Sequence, residues 1–377
     1  MKIFICGPTL YAPSHIGHAR IFIFFNFFIN YLRAKGYSPL AVVQLTDIDP
    51  KIYSKARNTD TKKITRKYFR RLMKDLAALE VLDNFCFSRV SDFQIQMKDQ
   101  IINLIMSNSA YSYGGNVYLN SPRPLLVSPF GNGPEELDNM PIDLSDGKID
   151  QKDIMIWNAD NFYPYEFTTS DSANNYIHNF LVSGVPGWHF QDSQIIKTIF
   201  NGRYDFHGGA SELVYPHHEF IYRLLGKLRP NDSTDEKAVS WIHLGILKIN
   251  SRKMSNSSGN VISTRTALKS YNPNTIKIFF LNHPYRNDIE YTKEKIEKAN
   301  LIDEKIASFF CDLFCENMRR MQKLDKKSQT KYSNFIKILD KNYDTRDALG
   351  FILECISDKD NPDLINKMTF TLGLRYY

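Results

Sequence analysis

The sequence predicts an α/β protein: a parallel sheet, a segment inserted into it, and an α-helical C-terminal region. Three observations predict this. An apolar strand, an apolar helix and a second strand follow one another within the first 46 residues. Residues 111–185 change texture and become rich in Tyr, Asn, Ser, Asp, Pro and Gly. From about residue 300 the pattern is helical, with no strand signal. The expected division is 1–110 and 186–295 for the two halves of the sheet domain, 111–185 for the connective insertion and 296–377 for the helical domain.

Each element has its own warrant. Lys2 to Cys6 is short, apolar and β-prone, which predicts a buried parallel strand broken by Gly7-Pro8-Thr9. Ser14 is the expected N-cap of a helix from about His15 to Lys35, with Gly36 ending it. Leu40 to Leu45 predicts the second strand, followed by Thr46-Asp47-Ile48-Asp49. Parallel neighbours need a crossover and the helix supplies one, so the unit is βαβ and the sheet Rossmann-like. Ile52 to Leu82 and Phe93 to Ser107 predict further helices. Inside the insertion, Asn116 to Leu119 is a short β-like piece. The α/β texture resumes near Trp188, with a helix expected over Asp192 to Phe200 and another starting near His217. Phe206-His207-Gly208-Gly209 is expected to follow a short strand, and Trp241 to Ile249 leads to a Ser-rich loop holding Lys253.

Composition narrows the class. At 377 residues the chain exceeds one small core, so two or three domains are expected. A hydrophobic share of 43% with 24% charged residues describes a globular protein. The formal charge of +7 suits a polyanion such as RNA and is also compatible with an ordinary surface. The same choice applies to Lys62, Lys63, Arg66, Lys67, Arg70, Arg71 and Lys74, which form either a solvated helix face or an RNA-facing stripe. Five cysteines without framework spacing fit a reducing compartment rather than a disulfide scaffold. The apolar run Ile21 to Ile29 carries Asn26 and is far short of the ~20 residues a spanning helix needs, so a core helix and no membrane are expected. Met1 to Ile5 reaches Gly-Pro too soon for a signal peptide, which leaves a cytoplasmic location.

Two segments carry the chemistry: His15-Ile16-Gly17-His18 and, 235 residues later, Lys253-Met254-Ser255-Asn256-Ser257. Histidines three apart share one face of a first helical turn, where backbone N–H groups already favour anions. Gly17 between them permits close approach of a nucleotide. A lysine on a mobile loop closes over the same phosphates and meets charge developing on the α-phosphate. The pair points to an enzyme that splits ATP between its first and second phosphates to activate a carboxylate. Phe206 to Glu212 supplies a cradle for adenosine, with Glu212 suited to ribose hydroxyls.

These residues resemble the class I aminoacyl-tRNA synthetases, and the cysteinyl-tRNA synthetase family in particular. That family opens with Cys-Gly-(Pro/Ile)-Thr-Val-Tyr, and Cys6-Gly7-Pro8-Thr9-Leu10-Tyr11 stands here. Its Thr-Asp-(Ile/Val)-Asp-Asp-Lys-Ile is matched by Thr46 to Ile52 with Pro50 substituted. Its Pro-Gly-Trp-His-Ile-Glu-Cys is matched by Pro186 to Asp192, and its Phe-Pro-His-His-Glu-Asn-Glu by Tyr215 to Ile221. Asp344 to Leu349 is similar to the helical domain after the catalytic core. The resemblance implies a class I synthetase catalytic domain that activates an amino acid, cysteine, as an aminoacyl-adenylate and transfers it to tRNA. It implies catalytic roles for His15, His18 and Lys253. It implies ATP, entering with Mg2+ as substrate, on Gly7, Thr9, Gly17, His207, Gly208, Gly209, Glu212, Ser255 and Asn256. It implies amino-acid contacts from Cys6, Gly7, Thr46 and Trp188, the last as a wall of the side-chain site.

The resemblance also implies zinc, held in the family by two Cys, one His and one Glu. By position these become Cys6, Asp192, His217 and Ile221. Ile221 cannot ligate, so three donors and an open position are expected, in a harder site than two thiolates make. The helical offset is expected to point His218 and Glu219 elsewhere. Asn256 stands where the family has a second loop lysine, which weakens the expected grip on ATP by roughly 1.5–3 kcal/mol. The family's leading segment is nearly absent, and with only three residues after Leu372-Gly373-Leu374 the small anticodon-binding domain into which the family continues is expected to be missing. The basic run Arg319 to Lys331 is a solvated helix end or a further tRNA contact. Two other functions fit these departures: transfer of the acyl group to a small amine, as in the cysteine ligase of mycothiol synthesis, and a non-catalytic RNA-binding or regulatory protein.

Overall fold

The computed structural model describes residues 1–56, 60–120, 130, 148–150, 153–159, 184–228, 239–255, 259–315 and 324–376. The chain begins with β1 (Lys2–Thr9), α1 (Ile16–Ala34) and β2 (Leu40–Thr46). β1 runs past the Gly-Pro that was expected to break it, and Thr9 still pairs with Thr46 after a register shift. Gly7 is the reason. A Cβ there would sit 2.0 Å from the Gln44 carbonyl oxygen, so glycine lets the two strands close up rather than ending one.

The cap of α1 is His15, not Ser14. The His15 side chain accepts from the His18 N–H, and the His18 side chain accepts from the His15 N–H. This reciprocal pair does what a serine cap does, and Ser14 instead donates to Asp75 at 2.8 Å. α1 is buried from Phe22 through Leu32 and lies between the sheet and the C-terminal helices. Asn26 and Asn30 face Asn84, whose amide donates to both.

The single helix expected over Ile52 to Leu82 is two, α2 (Pro50–Ala56) and α3 (Thr61–Ala78), with the Asp60 side chain capping the second through Lys62 N–H. β3 (Cys86–Arg89) and α4 (Gln94–Met106) follow. Next comes a separate antiparallel sheet of β4 (Ala110–Tyr113), β5 (Asn116–Leu119), β6 (Ile154–Ala159) and β7 (Gly184–Pro186), paired in that order. α5 (Trp188–Phe200) begins four residues ahead of its expected start, with Gly187 as N-cap. Phe206–Ala210 is itself a strand, β8, rather than the segment after one. α6 (Glu219–Leu228) and β9 (Ser240–Leu244) complete the main sheet's second half.

The main sheet has the order β3-β2-β1-β8-β9, and every pair in it is parallel. The chain runs outward from β1 through β2 to β3, then returns to β8 on the other side and moves out to β9. The crevice where these directions part, beyond the carboxyl ends of β1 and β8, is where ligands bind in such sheets. A small third sheet contains β10 (Leu247–Ile249) and β11 (Arg252–Lys253). α7 (Thr264–Ser270), α8 (Pro273–Leu281) and the short β12 (Ile289–Glu290) follow, with β12 joining that sheet beside β10. The rest is helical: α9 (Lys293–Cys315), α10 (Lys326–Asp340), α11 (Thr345–Ser357) and α12 (Pro362–Thr371). Among the described residues no helix is long and apolar enough to cross a membrane.

Close packing of α1 on the sheet depends on one glycine. A Cβ on Gly208 would lie 2.0 Å from the tip of the Phe25 ring, which is fully buried. Gly208→Ala therefore forces ring and strand apart, at a cost of about 1–3 kcal/mol. The expected result is a lower urea midpoint with an unchanged slope; an unaltered midpoint would show that the ring relaxes freely.

Candidate active site

A cavity of about 510 Å³ opens at the carboxyl end of β1. Its lining includes His15, Gly17, His18 and Lys253 together with Cys6, Thr46, Trp188, Asp192 and His217. The sequence-derived phosphate and amino-acid residues thus line one space.

His15 and His18 stack with ring centroids 3.7 Å apart. Their Nδ1 atoms accept backbone N–H groups at 3.3 and 3.4 Å, which leaves each Nε2–H as the free donor. Burial, then the Lys253 charge, lowers His15 to about 4. Burial, then His15 and Lys253, lowers His18 to about 3. Both rings are therefore neutral at physiological pH and offer dipoles rather than charges. A Cβ on Gly17 would lie 2.9 Å from His15 Nδ1, so this glycine also makes room for the neighbouring ring.

Lys253 sits on β11, paired with Lys248 of β10, and not in the loop beyond it. Its ammonium forms an ion pair with Glu212 across the cavity, both groups being partly exposed. Met254 is buried behind it and Ser255 lines the cavity. Asn256 lies outside the described residues. Gly7 and Thr9 line the cavity as well. His207, Gly208 and Gly209 lie in β8 behind it: His207 is fully buried, Gly208 faces Phe25 and Gly209 faces His218. Ala210, Glu212 and Leu213, at the end of that strand, are what reach the cavity wall.

Among the residues expected from sequence to meet the amino acid, Thr46 accepts at Oγ1 from Gln44 at 2.8 Å. Trp188 is 42% exposed, yet its indole N–H donates to Asp49 Oδ2 at 2.6 Å. The Lys51 ammonium lies 5.1 Å from the same ring. Asp49 was not singled out from sequence; the signal was its place in the Thr-Asp-Ile-Asp run after β2.

Cys6 Sγ lies 3.3 Å from Asp192 Oδ2 and 3.6 Å from His217 Nε2, and the last two are 3.1 Å apart. Tetrahedral zinc with bonds of about 2.3 Å to sulfur and about 2.0 Å to nitrogen or oxygen sets its donors roughly 3.3–3.5 Å apart. The donor set fits such an ion. Ile221 is fully buried in an apolar cluster and adds nothing to it. His218 is a correction. Its Nε2 lies 3.4 Å from Cys6 Sγ, so it does point at the cluster. The helical offset does not apply because Val214–His218 is an irregular turn, Tyr215 is extended, and regular helix starts at Glu219. Glu219 does turn away, accepting from Arg223 at 2.8 Å.

A family profile described as tRNA synthetases class I (C) catalytic domain matches residues 1–301. The chain belongs to that family. It is 31% identical over 321 residues to the cysteine--tRNA ligase of Thermoplasma acidophilum, a match covering 82% of this chain and 67% of that protein. It is 30% identical over 370 residues to the cysteine--tRNA ligase of Pseudothermotoga lettingae, covering 95% and 75%. Among solved structures, a putative arginyl-tRNA synthetase from Campylobacter jejuni superposes with a TM-score of 0.64 at 11% identity, covering 100% of this chain and 94% of that one. Mycobacterium tuberculosis methionyl-tRNA synthetase bound by methionyl-adenylate superposes with a TM-score of 0.61 at 14% identity, covering 98% and 88%. At these identities the structural likeness concerns the fold, and it agrees with the parallel-sheet core and helical C-terminal region expected from sequence.

Proposed function

We propose that this chain activates cysteine with ATP and transfers the cysteinyl group to the terminal ribose hydroxyl of a tRNA. One observation carries the reading: two neutral histidine donors, a lysine and a Cys6–Asp192–His217 cluster line a single cavity. The carboxylate oxygen of the amino acid attacks the α-phosphorus of Mg2+-bound ATP, the α–β bridge bond breaks, and pyrophosphate leaves. The Nε2–H groups of His15 and His18 and the Lys253 ammonium stabilise the charge that develops, without a proton transfer. Lys253 exchanges Glu212 for phosphate as ATP enters. Trp188, held by Asp49, walls the side-chain end. Zinc on Cys6, Asp192 and His217 would offer an open position to a substrate thiolate, which serine cannot match.

A tRNA acceptor is supported by α3, where Lys62, Lys63, Arg66, Lys67, Arg70 and Lys74 are exposed and none forms an ion pair among the described residues. Lys63→Glu combined with Lys67→Glu is expected to raise the KM for tRNA about tenfold while leaving pyrophosphate exchange within twofold, since phosphate contacts position RNA and do not touch the adenylate. The acceptor is tested by incubating the chain with labelled cysteine, ATP and total tRNA. Alkali-labile label on tRNA is expected. Cysteine-dependent exchange with no label on tRNA would replace tRNA by a small amine.

A further inference from the structure

The Cys6 sulfur has neighbours on two sides. Asp192 and His217 approach it from the cavity. Behind it, His207 Nε2 and His218 Nε2 each lie 3.4 Å away. These two imidazoles are fully buried. Their rings are 4.7 Å apart and tilted by 64°, so the two nitrogens converge on the sulfur from different directions. The donor atoms of Cys6, His207 and His218 all lie within 4.8 Å of one another.

The bookkeeping of protons around this sulfur is unusual. A thiol has one S–H, yet four atoms able to accept it stand at 3.3–3.6 Å: Asp192 Oδ2 and the Nε2 atoms of His207, His217 and His218. A cation among them satisfies several at once.

The outer contacts separate the two sides. His207 Nδ1 lies 2.9 Å from the Tyr204 hydroxyl. His218 Nδ1 lies 2.8 Å from His243 Nε2. Such partners fix ring orientation and tautomer, and they are the usual second layer around ligating histidines. His217 Nδ1, by contrast, is buried with no hydrogen-bond partner. His207 also stacks on Trp241 at 4.2 Å, and Gly209 leaves the space that the His218 ring fills, a Cβ there falling 2.8 Å from Cε1.

We propose that Cys6, His207 and His218 form an inner site for a borderline divalent cation such as zinc, sharing the Cys6 thiolate with the cavity-facing Asp192 and His217. The cation replaces the thiol proton, which leaves to solvent, and no electron moves. One sulfur and two imidazoles are donors that zinc takes, and three of them leave a fourth position open. The inner site stands apart from the adenylation reading, and its test reads no activity.

The probe is cobalt(II) added to metal-stripped full-length chain, followed by its thiolate-to-metal absorption band and by metal content. The Asp192→Asn, His217→Gln double variant is expected to keep one equivalent and the band. Built into that double variant, where the cavity-facing donors are gone, His218→Gln or His207→Gln is expected to lower the affinity at least a hundredfold. His243→Gln, which touches the ion only through His218, is expected to lose 10- to 100-fold with an unchanged far-ultraviolet circular dichroism spectrum. X-ray absorption of the zinc-loaded double variant is expected to show one sulfur and two imidazoles. The proposal is overturned if wild type binds no metal, if the double variant binds none, or if His207→Gln and His218→Gln leave the double variant's affinity unchanged. Should those two buried variants not fold, the double variant and His243→Gln decide between the same outcomes.

Discussion

Replacing His18 by alanine is expected to slow amino-acid-dependent ATP–pyrophosphate exchange by about 10²- to 10³-fold, the scale on which one preorganised donor to a developing anion acts. The ring lines the cavity, its Nδ1 is already committed to the His15 N–H, and only Nε2–H is left for a phosphate oxygen. Since that donor acts most strongly on charge that appears in the transition state, kcat falls more than the KM for ATP rises. Part of the loss comes through His15, whose backbone N–H loses its acceptor and whose ring loses its stacking partner. His18→Asn keeps an N–H donor on a shorter side chain and should recover some of the rate. The pH profile separates dipole from charge. His18 is held at about 3 and His15 at about 4, so neither titrates between pH 6 and 8 and kcat/KM shows no limb from them there. A rate that climbs as pH drops through 6.5 would mean that imidazolium charge does the work instead.

Acid should unfold this chain earlier than its carboxylates alone require. Burial first of all holds His15 at about 4, and His18 and His189 at about 3. The unfolded chain protonates each at about 6.5. Between about pH 6.5 and the folded values the unfolded state binds protons that the native state refuses, so stability rises with pH and is lost as pH falls through that window. Each such histidine contributes about 1.4 kcal/mol per pH unit there, against a typical total stability of roughly 5–15 kcal/mol. Asp288 and Asp340, whose lysine partners hold them below the usual carboxylate range, lose their contribution only at lower pH. Urea midpoints at pH 7.5, 6.5 and 5.5 check the sign. The midpoint should be nearly level over the first interval and fall over the second; a level second interval would mean that the buried rings gain protons without cost.

Local chemistry was legible in the sequence where a residue's partners lie within a turn or two. The β1–α1–β2 unit followed from apolar runs and a single helical period. The pairing of His15 with His18 followed from their spacing. What escaped reading depends on contacts far along the chain. Gly-Pro looked like a strand breaker because only Gln44, on the next strand, reveals that Gly7 serves close approach. Gly208 read as a nucleotide-facing glycine, while its constraint is the Phe25 ring. Asp49 and Trp188 are 139 residues apart, and no spacing rule joins them. His218 was misplaced for a different reason: an α-helical offset was assumed, while Val214–His218 is an irregular turn and regular helix starts only at Glu219. Ion pairing between Glu212 and Lys253 was also out of reach, since each was read separately as a ligand group.

The central claim is that this cavity makes an adenylate from cysteine. Pyrophosphate exchange measured with each of the twenty standard amino acids tests it most directly, because exchange needs only ATP, the amino acid and the residues named here. Exchange is expected with cysteine, well above serine and every other amino acid, and it should vanish into background in His18→Ala. No exchange with any amino acid, or exchange driven by one other than cysteine, would contradict it.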